Sequence, residues 1–308
     1  MRETGLKGAL LVAALVLLML DILASLWLSG RLRGPRSGAV AALVLAVMVP
    51  HHARAQSGDD FAIAAASQVV LARVITGDAQ VDRVAQAGLT GLSDVLFART
   101  SIEPADPLGV DIEKDDLSLF AMLYWPISVK QPHPSDAAYG KLNAYLRHGG
   151  MILFDTRDGD VAGYGQSTPE ARKLRALALP LDIPALEQIP GNHVLTRSFY
   201  LLQDFPGRYD RPIWVEAAPA DAVKVEGMPF RNLNDGVSPV IIGGNDWAAA
   251  WAVDRSGNPM FPVGRGYTGE RQREIAYRFG VNLMMYVLTG NYKSDQVHVP
   301  ALLERLGQ

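Results

Sequence analysis

Short apolar runs and helically spaced apolar residues alternate along the chain after residue 68. Gln68–Thr76 is rich in β-branched residues and is followed by a glycine, which predicts a strand. In Ala79–Arg99 the apolar residues recur at helical spacing, which predicts a helix with Gly88 and Gly91 as points where it can break. Ser101–Asp116 contains two prolines and several acids, so it predicts an extended segment and a turn.

Two more strands and a helix between them are predicted next. Leu117–Trp125 and Met151–Asp155 are almost continuous apolar runs, as expected of strands covered on both faces. Between them, Ser135 or Asp136 is placed to cap a helix that runs through Arg147. This alternation of strands and helices predicts a parallel sheet.

The pattern of the remaining chain continues the same architecture. The predicted elements are helices at Pro169–Leu179 and Glu270–Thr289, strands at Ile213–Ala217 and Pro239–Ile242, and a strand-like run at Asn192–Tyr200. We therefore expect residues 68–308 to form one α/β domain with a mostly parallel sheet.

The first 56 residues have the pattern of a membrane region. Residues 6–30, apolar from Gly8 onward apart from Asp21 and two serines, are long enough to cross a hydrocarbon core of about 30 Å as one helix. A second apolar segment, residues 37–55, is either an internal signal-like sequence or a second membrane helix. Residues 57–67 are predicted to form a linker.

Both alternatives predict the same topology. The loop between the two segments is rich in arginine and stays in the cytoplasm by the positive-inside rule, so the chain after Gln56 is exported. Arg2 and Lys7 run against this rule because they would lie outside. We expect a bacterial inner-membrane protein whose C-terminal domain is periplasmic.

Charge and composition exclude several function classes. A net charge of −3 without a basic domain is not typical of a nucleic-acid-binding protein. The chain has no cysteine, which excludes a thiol nucleophile, a thiolate metal site and a disulfide framework. The six histidines show no metal-ligand spacing, and we expect neither a metal nor another cofactor.

The turn after Met151–Asp155 is the main candidate site. Asp155, Thr156, Arg157 and Asp158 are expected at the carboxyl edge of the sheet, where parallel α/β folds bind ligands. A carboxylate beside an arginine can orient a ligand or act as a general base. Alternatively, Asp155 caps the next turn while Arg157 pairs with an acid across the edge, since ion-pair networks imitate active sites.

Three other polar positions join the candidates. Asn245 and Asp246 follow a predicted strand, so they are expected to share the crevice with Asp155. His193 follows a Pro-Gly-Asn turn and is either a loop histidine bonded to the backbone or a group that assists catalysis.

The glycine-rich segment Gly264–Gly269 matches the letters of a dinucleotide fingerprint. It lacks the preceding strand and the following acidic strand end that such a site needs, so it predicts an approach to the last helix. Arg273, together with Arg265 and Arg271, can bind an anion at that helix start or can simply be solvated or paired.

Four tryptophans are candidates for stacking on a sugar ring: Trp125, Trp214, Trp247 and Trp251. In apolar runs of this kind, tryptophans more often belong to the core.

Four motifs in sequence order resemble the domain of unknown function (DUF) 4159 family. They are Phe154–Arg157, Ser198–Leu202, Gly244–Trp247 and Arg273–Lys293. The resemblance implies a fold similar to class I glutamine amidotransferases and trehalose-utilisation-like domains, a flavodoxin-like three-layer sandwich, here behind N-terminal membrane segments.

The resemblance implies no catalytic residue. Amidotransferases hold a cysteine in the turn where this chain has Asp155-Thr156-Arg157, and the absence of cysteine excludes thiol-dependent glutamine hydrolysis. Relatives tend to occur beside AAA+ ATPases and von Willebrand-type domains, which implies partners in an envelope complex.

Three functions are consistent with the sequence. The leading hypothesis is a membrane-anchored, exported, non-catalytic domain that binds a ligand or partner through the strand-end residues and Arg273. The alternative is a hydrolase that uses Asp155 or Asp158 as its base with His193 or Asn245 assisting, and the third is a carbohydrate-binding domain.

Overall fold

Helices and strands alternate through the C-terminal domain. The structure is a computed structural model that describes residues 68–161, 167–217, 237–264 and 266–290. The predicted membrane segments at 6–30 and 37–55 and the linker at 57–67 lie outside the described residues. No helix within the described ranges is both long and apolar enough to cross a membrane.

The described residues contain one seven-stranded sheet in the order β2-β1-β3-β4-β7-β6-β5. Its strands are β1 Val69–Val74, β2 Pro104–Val110, β3 Met122–Pro126, β4 Met151–Asp155, β5 Leu186–Gln188, β6 Trp214–Glu216 and β7 Val240–Gly243. The five strands β2, β1, β3, β4 and β7 run parallel to one another. Beyond β7, β6 pairs antiparallel with β7, and β5 pairs antiparallel with β6. The predicted α/β class with a mostly parallel sheet is confirmed.

Helices cover both faces of the sheet. They are α1 Ala79–Arg99, α2 Asp136–Arg147, α3 Pro169–Ala178, α4 Trp247–Trp251 and α5 Gly266–Thr289. One buried core joins alternate strand residues such as Leu153 to α1, α4 and α5. The other core joins the neighbouring residues, such as Phe154, to α2 and α3. Because successive side chains of a strand point to opposite faces, the apolar runs supply both cores.

Several predicted elements differ in the structure. Ser101–Asp116 contains the edge strand β2, and the first residues of Leu117–Trp125 form a 3₁₀ turn at Leu117–Leu119 instead of a strand. The side chain of Asp116 accepts hydrogen bonds from the Ser118 backbone N–H and hydroxyl. A side chain that bonds the backbone locally competes with strand pairing.

Differences also occur in the second half of the chain. The strand-like run Asn192–Tyr200 contains a 3₁₀ turn at Val194–Thr196, and the last helix begins at Gly266, so part of the glycine-rich segment belongs to its first turn. The strand β5 and the short helix α4 have too few residues to show a periodic pattern.

The glycines of α1 serve close packing and do not break the helix. An added Cβ at Gly88 would lie 2.4 Å from the carbonyl oxygen of Ala248, and one at Gly91 would lie 2.1 Å from that of Trp251. The backbone of α1 therefore lies directly against α4, which places α4 at the carboxyl edge of the sheet.

Candidate functional site

The carboxyl ends of the five parallel strands lie at one edge of the sheet. Asp155, the last residue of β4, pairs in register with Pro126 of β3 on one side and Gly243 of β7 on the other. The turns after these strands bring together Asp155–Asp158 and Gly244–Asp246, as the sequence predicts.

Asp155 is completely buried and accepts four hydrogen bonds. One oxygen accepts from the backbone N–H groups of Arg157 at 3.0 Å and Asp246 at 3.1 Å. The other accepts from the Tyr124 hydroxyl and from the Trp247 backbone N–H, both at 2.8 Å. Asp155 therefore caps the start of α4 from a neighbouring strand, in place of Asp246, which makes no side-chain cap bond.

The chemistry left to Asp155 follows from these contacts. Burial raises the pKa of Asp155, while the Tyr124 hydroxyl, the Trp247 amide and Arg157 lower it. A carboxyl group that accepts four bonds has no lone pair directed to a substrate, and its burial leaves no access for one. Asp155 builds the turn and is not placed to react.

Two residues beside Asp155 adopt strained backbone conformations. Arg157 has φ 57° and Asp246 has φ 52°, the two positive-φ non-glycine residues among those described. The left-handed region costs an ordinary residue roughly 1–3 kcal/mol and is retained where surrounding contacts enforce it, often at functional sites. Here the enforcing contacts are the bonds from both backbone amides to Asp155.

Asp246 is the acid of this edge that titrates near neutral pH. Burial and the nearby Asp155 raise the pKa of Asp246 to about 7, against the opposing effect of Arg157 and Arg208. Its carboxylate lies 3.7 Å from the Arg208 guanidinium, which is longer than a hydrogen bond.

We expect the pKa of Asp246 to appear in the pH dependence of stability. The folded state holds the Asp246 proton up to about pH 7, whereas the unfolded chain releases it near its ordinary pKa of about 3.9. The folded state therefore binds more protons in this window, and the free energy of unfolding falls as the pH rises through it. Urea unfolding at several pH values should show a smaller fall in Asp246→Asn than in the native chain. Parallel curves for the two proteins would contradict the assignment.

Thr156 and Asp158 fix the turn after β4 and hold it to the start of α3. The Thr156 hydroxyl donates to Asp158 at 2.5 Å, and the second Asp158 oxygen accepts from the Thr168 hydroxyl at the start of α3. An added Cβ at Gly244 would lie 2.5 Å from the Asp158 carboxylate, so a larger residue there would have to displace that carboxylate. Asp158 is buried, and both of its carboxylate oxygens accept hydrogen bonds from hydroxyl groups of the chain.

Asn245 fixes the segment that carries Arg208. Its side-chain amide donates to the carbonyl oxygens of Phe205 and Arg211, each at 3.0 Å. Gln272 of α5 donates to the carbonyl oxygen of Arg208 from the other side. These bonds hold Arg208 over Asp246, and they leave Asn245 fully buried, so it is a positioning group.

A cavity of about 340 Å³ opens between α1, the turns after β3 and β4, and α4. We call it the edge cavity. The polar side chains that line it include Asp78, Ser128, Lys130, Arg157, Arg208 and Asp246. Three larger cavities in the described ranges, of about 540, 510 and 420 Å³, include none of these side chains. The third lies on the other side of the β4 turn and is lined by Thr156, Asp158 and Trp214, among others.

His193 lies at the opposite end of the sheet. Its ring contacts Tyr286 edge-on at 5.5 Å, and the Tyr286 hydroxyl accepts from the Ser238 backbone N–H, just before β7 begins. Asp155 pairs with the last residue of β7, so the two candidates do not converge. Burial lowers the pKa of His193 to about 4, and its ring accepts from the Leu195 backbone N–H.

Arg273 is also separate from the edge cavity. Its guanidinium donates to the carbonyl oxygen of Ala250 at 2.5 Å and to that of Phe261. These bonds fasten the Phe261 segment to α4, so Arg273 supports a cavity wall and does not offer its charge to a ligand. Arg265 lies outside the described residues.

The tryptophans divide between core and surface. Trp125, Trp247 and Trp251 are fully buried, whereas Trp214 is 46% exposed. Stacking on a sugar requires an exposed ring face, so among these four only Trp214 can offer one.

Most lining residues of the edge cavity, including the polar Asp78, Ser128, Lys130 and Arg208, were not among the predicted site residues. Asp78 and Ser128 follow β1 and β3, and their position directly after parallel strands is a signal that sequence reasoning can use. Lys130 lies two residues further on. Arg208 belongs to an irregular loop with no pattern, and only the fold brings it to Asp246.

Comparison with known families identifies a matching family. The model of a family described as "Domain of unknown function (DUF4159)" matches residues 70–288, which is more than half of the chain. No curated protein matches the chain.

Proposed function

The chain belongs to the DUF4159 family, and on that premise we propose that it is a non-catalytic binding domain whose site is the edge cavity. In this proposal the N-terminal segments anchor it in a bacterial inner membrane and the domain is exported. Its ligand or partner contacts the side chains of the strand-end turns.

The contacts of Asp155 carry the proposal. A reactive carboxylate needs a free lone pair and access to a substrate. Asp155 is buried and accepts from four donors, and Asp158 is buried and accepts from two hydroxyls. Of the proposed assistants of a hydrolase, His193 lies at the opposite end of the sheet, and Asn245 uses its side-chain amide to hold the backbone of the Arg208 segment.

The strand order supports the finer fold within this proposal. The parallel part, β2-β1-β3-β4-β7, follows the order of flavodoxin-like doubly wound sheets, which bind ligands at the carboxyl edge. An amidotransferase-like ancestry would place the former nucleophile position in the Asp155-Thr156-Arg157 turn. That turn would then be a binding or structural vestige of a reaction centre.

The proposed setting is an envelope complex. The arginine-rich loop between residues 30 and 37 favours an inner-membrane anchor with the domain on the periplasmic side. The family resemblance suggests AAA+ ATPase-associated or von Willebrand-type proteins as partners. An edge cavity with both charged signs on its walls suits a polar ligand or a polar partner segment.

Hydrolysis assays on the purified full-length chain test the absence of catalysis. With glutamine, p-nitrophenyl esters and p-nitrophenyl glycosides, we expect no rate above the uncatalysed reaction, in the native chain or in Asp246→Asn. Turnover that Asp155→Asn or Asp246→Asn abolishes, while the folded spectrum is kept, would overturn the proposal.

An alkaline phosphatase fusion tests the topology. Fused after Gln56, the enzyme should be active because it would fold in the periplasm. A matched fusion after Arg33, in the arginine-rich loop, should be inactive at the same expression level. An inactive fusion at Gln56 would place the domain in the cytoplasm and contradict the exported part of the proposal.

A further inference from the structure

Two arginines from different parts of the chain reach the edge cavity beside the same carboxylate. Arg157 comes from the turn after β4, and Arg208 comes from the loop pinned by Asn245. Both lower the pKa of Asp246. Lys130 adds a third, exposed positive charge at the rim, where it lies 3.5 Å from Asp78.

The backbone and one guanidinium nitrogen of Arg157 are held by hydrogen bonds, but its Nε–H donates none within the described ranges. Its strained backbone is fastened to Asp155, and one guanidinium nitrogen donates to the carbonyl oxygen of Ile127 at 2.6 Å. Its Nε is buried without a hydrogen-bond partner among the described residues. A buried donor that is left unsatisfied costs about 1–3 kcal/mol, so the protein's own acceptors do not saturate this guanidinium, whose residue lines the edge cavity.

Arg208 is also positioned without being saturated. Its guanidinium lies over the rings of Tyr209 and Phe261, 5.6 and 5.8 Å from their centroids. The contact with Asp246 at 3.7 Å is an ion pair without hydrogen-bond geometry. A planar guanidinium held on aromatic faces presents its N–H groups to an oxygen acceptor at low entropic cost.

We propose that the edge cavity binds an oxyanion, a phosphate-like or carboxylate group, between Arg157 and Arg208, and that Asp246 takes up a proton when the anion displaces it from Arg208. The proposal rests on the proposed function, since it names the ligand chemistry of the same site. Guanidinium groups bind both kinds of anion through paired, charge-assisted hydrogen bonds.

The groups around Asp246 set the sign of the pH dependence. Titratable and charged groups from every neighbouring element face Asp246. They are Tyr124 of β3, Asp155 of β4, Arg157 of the turn after β4, Arg208 and Tyr209 of the loop before β6, and Asp78, Lys130 and Glu170 at the cavity rim. Loss of the Arg208 contact removes an interaction that lowers the pKa of Asp246. Anion binding is therefore accompanied by proton uptake, and affinity falls as the pH rises above about 7.

Binding of inorganic sulfate and of acetate to the full-length chain, measured by titration calorimetry, tests the proposal. Both probes keep their charge between about pH 6.5 and about pH 8.5, so a pH effect belongs to the protein. We expect at least one probe to bind about tenfold more weakly at the higher pH. The probe that binds better distinguishes a tetrahedral from a planar oxyanion.

Variants separate the contributions of the two arginines and the acid. Arg208→Gln and Arg157→Gln should each weaken binding about tenfold or more at the lower pH. Asp246→Asn should bind the probe equally well at both pH values. Arg147→Gln, which loses only an exposed ion pair with Asp182, is the matched control and should bind like the native chain.

Three results would overturn the proposal: binding of neither probe, unchanged binding in both cavity arginine variants, or an undiminished pH effect in Asp246→Asn. Each leaves the non-catalytic assignment standing, because that assignment fails only if the hydrolysis assays show turnover.

Discussion

Replacing Asp155 with alanine is expected to lower the free energy of unfolding by roughly 3–5 kcal/mol, a range typical of removing one partner from a buried charged network. The change leaves the Tyr124 hydroxyl and three backbone N–H groups without their acceptor. It also removes what holds Arg157 and Asp246 in strained conformations. Urea unfolding of the full-length chain, followed by tryptophan fluorescence, measures the loss.

Two controls define this expectation. Tyr124→Phe removes one of the four donors and keeps the ring in the core, so it should cost only about 1–2 kcal/mol. Asp182→Ala removes an exposed ion pair with Arg147 and should cost less than about 1 kcal/mol. A loss in Asp155→Ala no larger than that in Asp182→Ala would show that Asp155 does not hold the turn.

Gly91→Ala is expected to destabilise the domain by roughly 1–3 kcal/mol, although alanine favours helices more than glycine does. The new Cβ would lie 2.1 Å from the carbonyl oxygen of Trp251, so α1 and α4 must move apart. Thermal and urea unfolding of the full-length chain measure the effect.

The matched control is a glycine in another helix. Gly140 of α2 is exposed and has no atom within 4 Å of an added Cβ, so Gly140→Ala should stabilise the domain by about 0.5–1 kcal/mol. Equal effects of the two substitutions would contradict the close contact of α1 with α4.

The apolar runs made most of the fold predictable. Met151–Asp155 and Ala79–Arg99 have the bounds that their periodicity predicts, since both faces of the strand and one face of the helix are buried. Short elements were not predictable because α4 has five residues and β5 has three. Their conformation depends on tertiary partners such as Asp155 and the glycines of α1.

The candidate site was predictable only in part. Strand-end position is enough to place Asp155, Arg157 and Asp246 at one edge. Strand-end position does not show that Asp155 is buried and accepts four hydrogen bonds while Asp246 faces a cavity. That difference depends on how the turns after β4 and β7 pack against each other. The position of Arg208 beside Asp246 cannot be predicted from the sequence, because an irregular loop has no periodic pattern of apolar residues.

Burial also separates the roles of the two carboxylates. Asp155 lies close enough to Asp246 to raise the pKa of the Asp246 carboxyl group, and it accepts a hydrogen bond from the Asp246 backbone N–H. Asp155 uses its oxygens to accept four hydrogen bonds, whereas the carboxyl group of Asp246 lines the edge cavity and has a pKa of about 7, so we assign proton exchange at the cavity to Asp246. A site with one fixed and one titrating carboxylate beside two arginines is suited to proton-linked binding.

Native-state hydrogen exchange of the Trp247 backbone amide tests the central claim most directly, namely that Asp155 builds a preformed, buried turn. The account predicts that this amide exchanges only through global unfolding, with an exchange free energy close to that of urea unfolding. Exchange through local opening, at a free energy several kcal/mol lower, would contradict it.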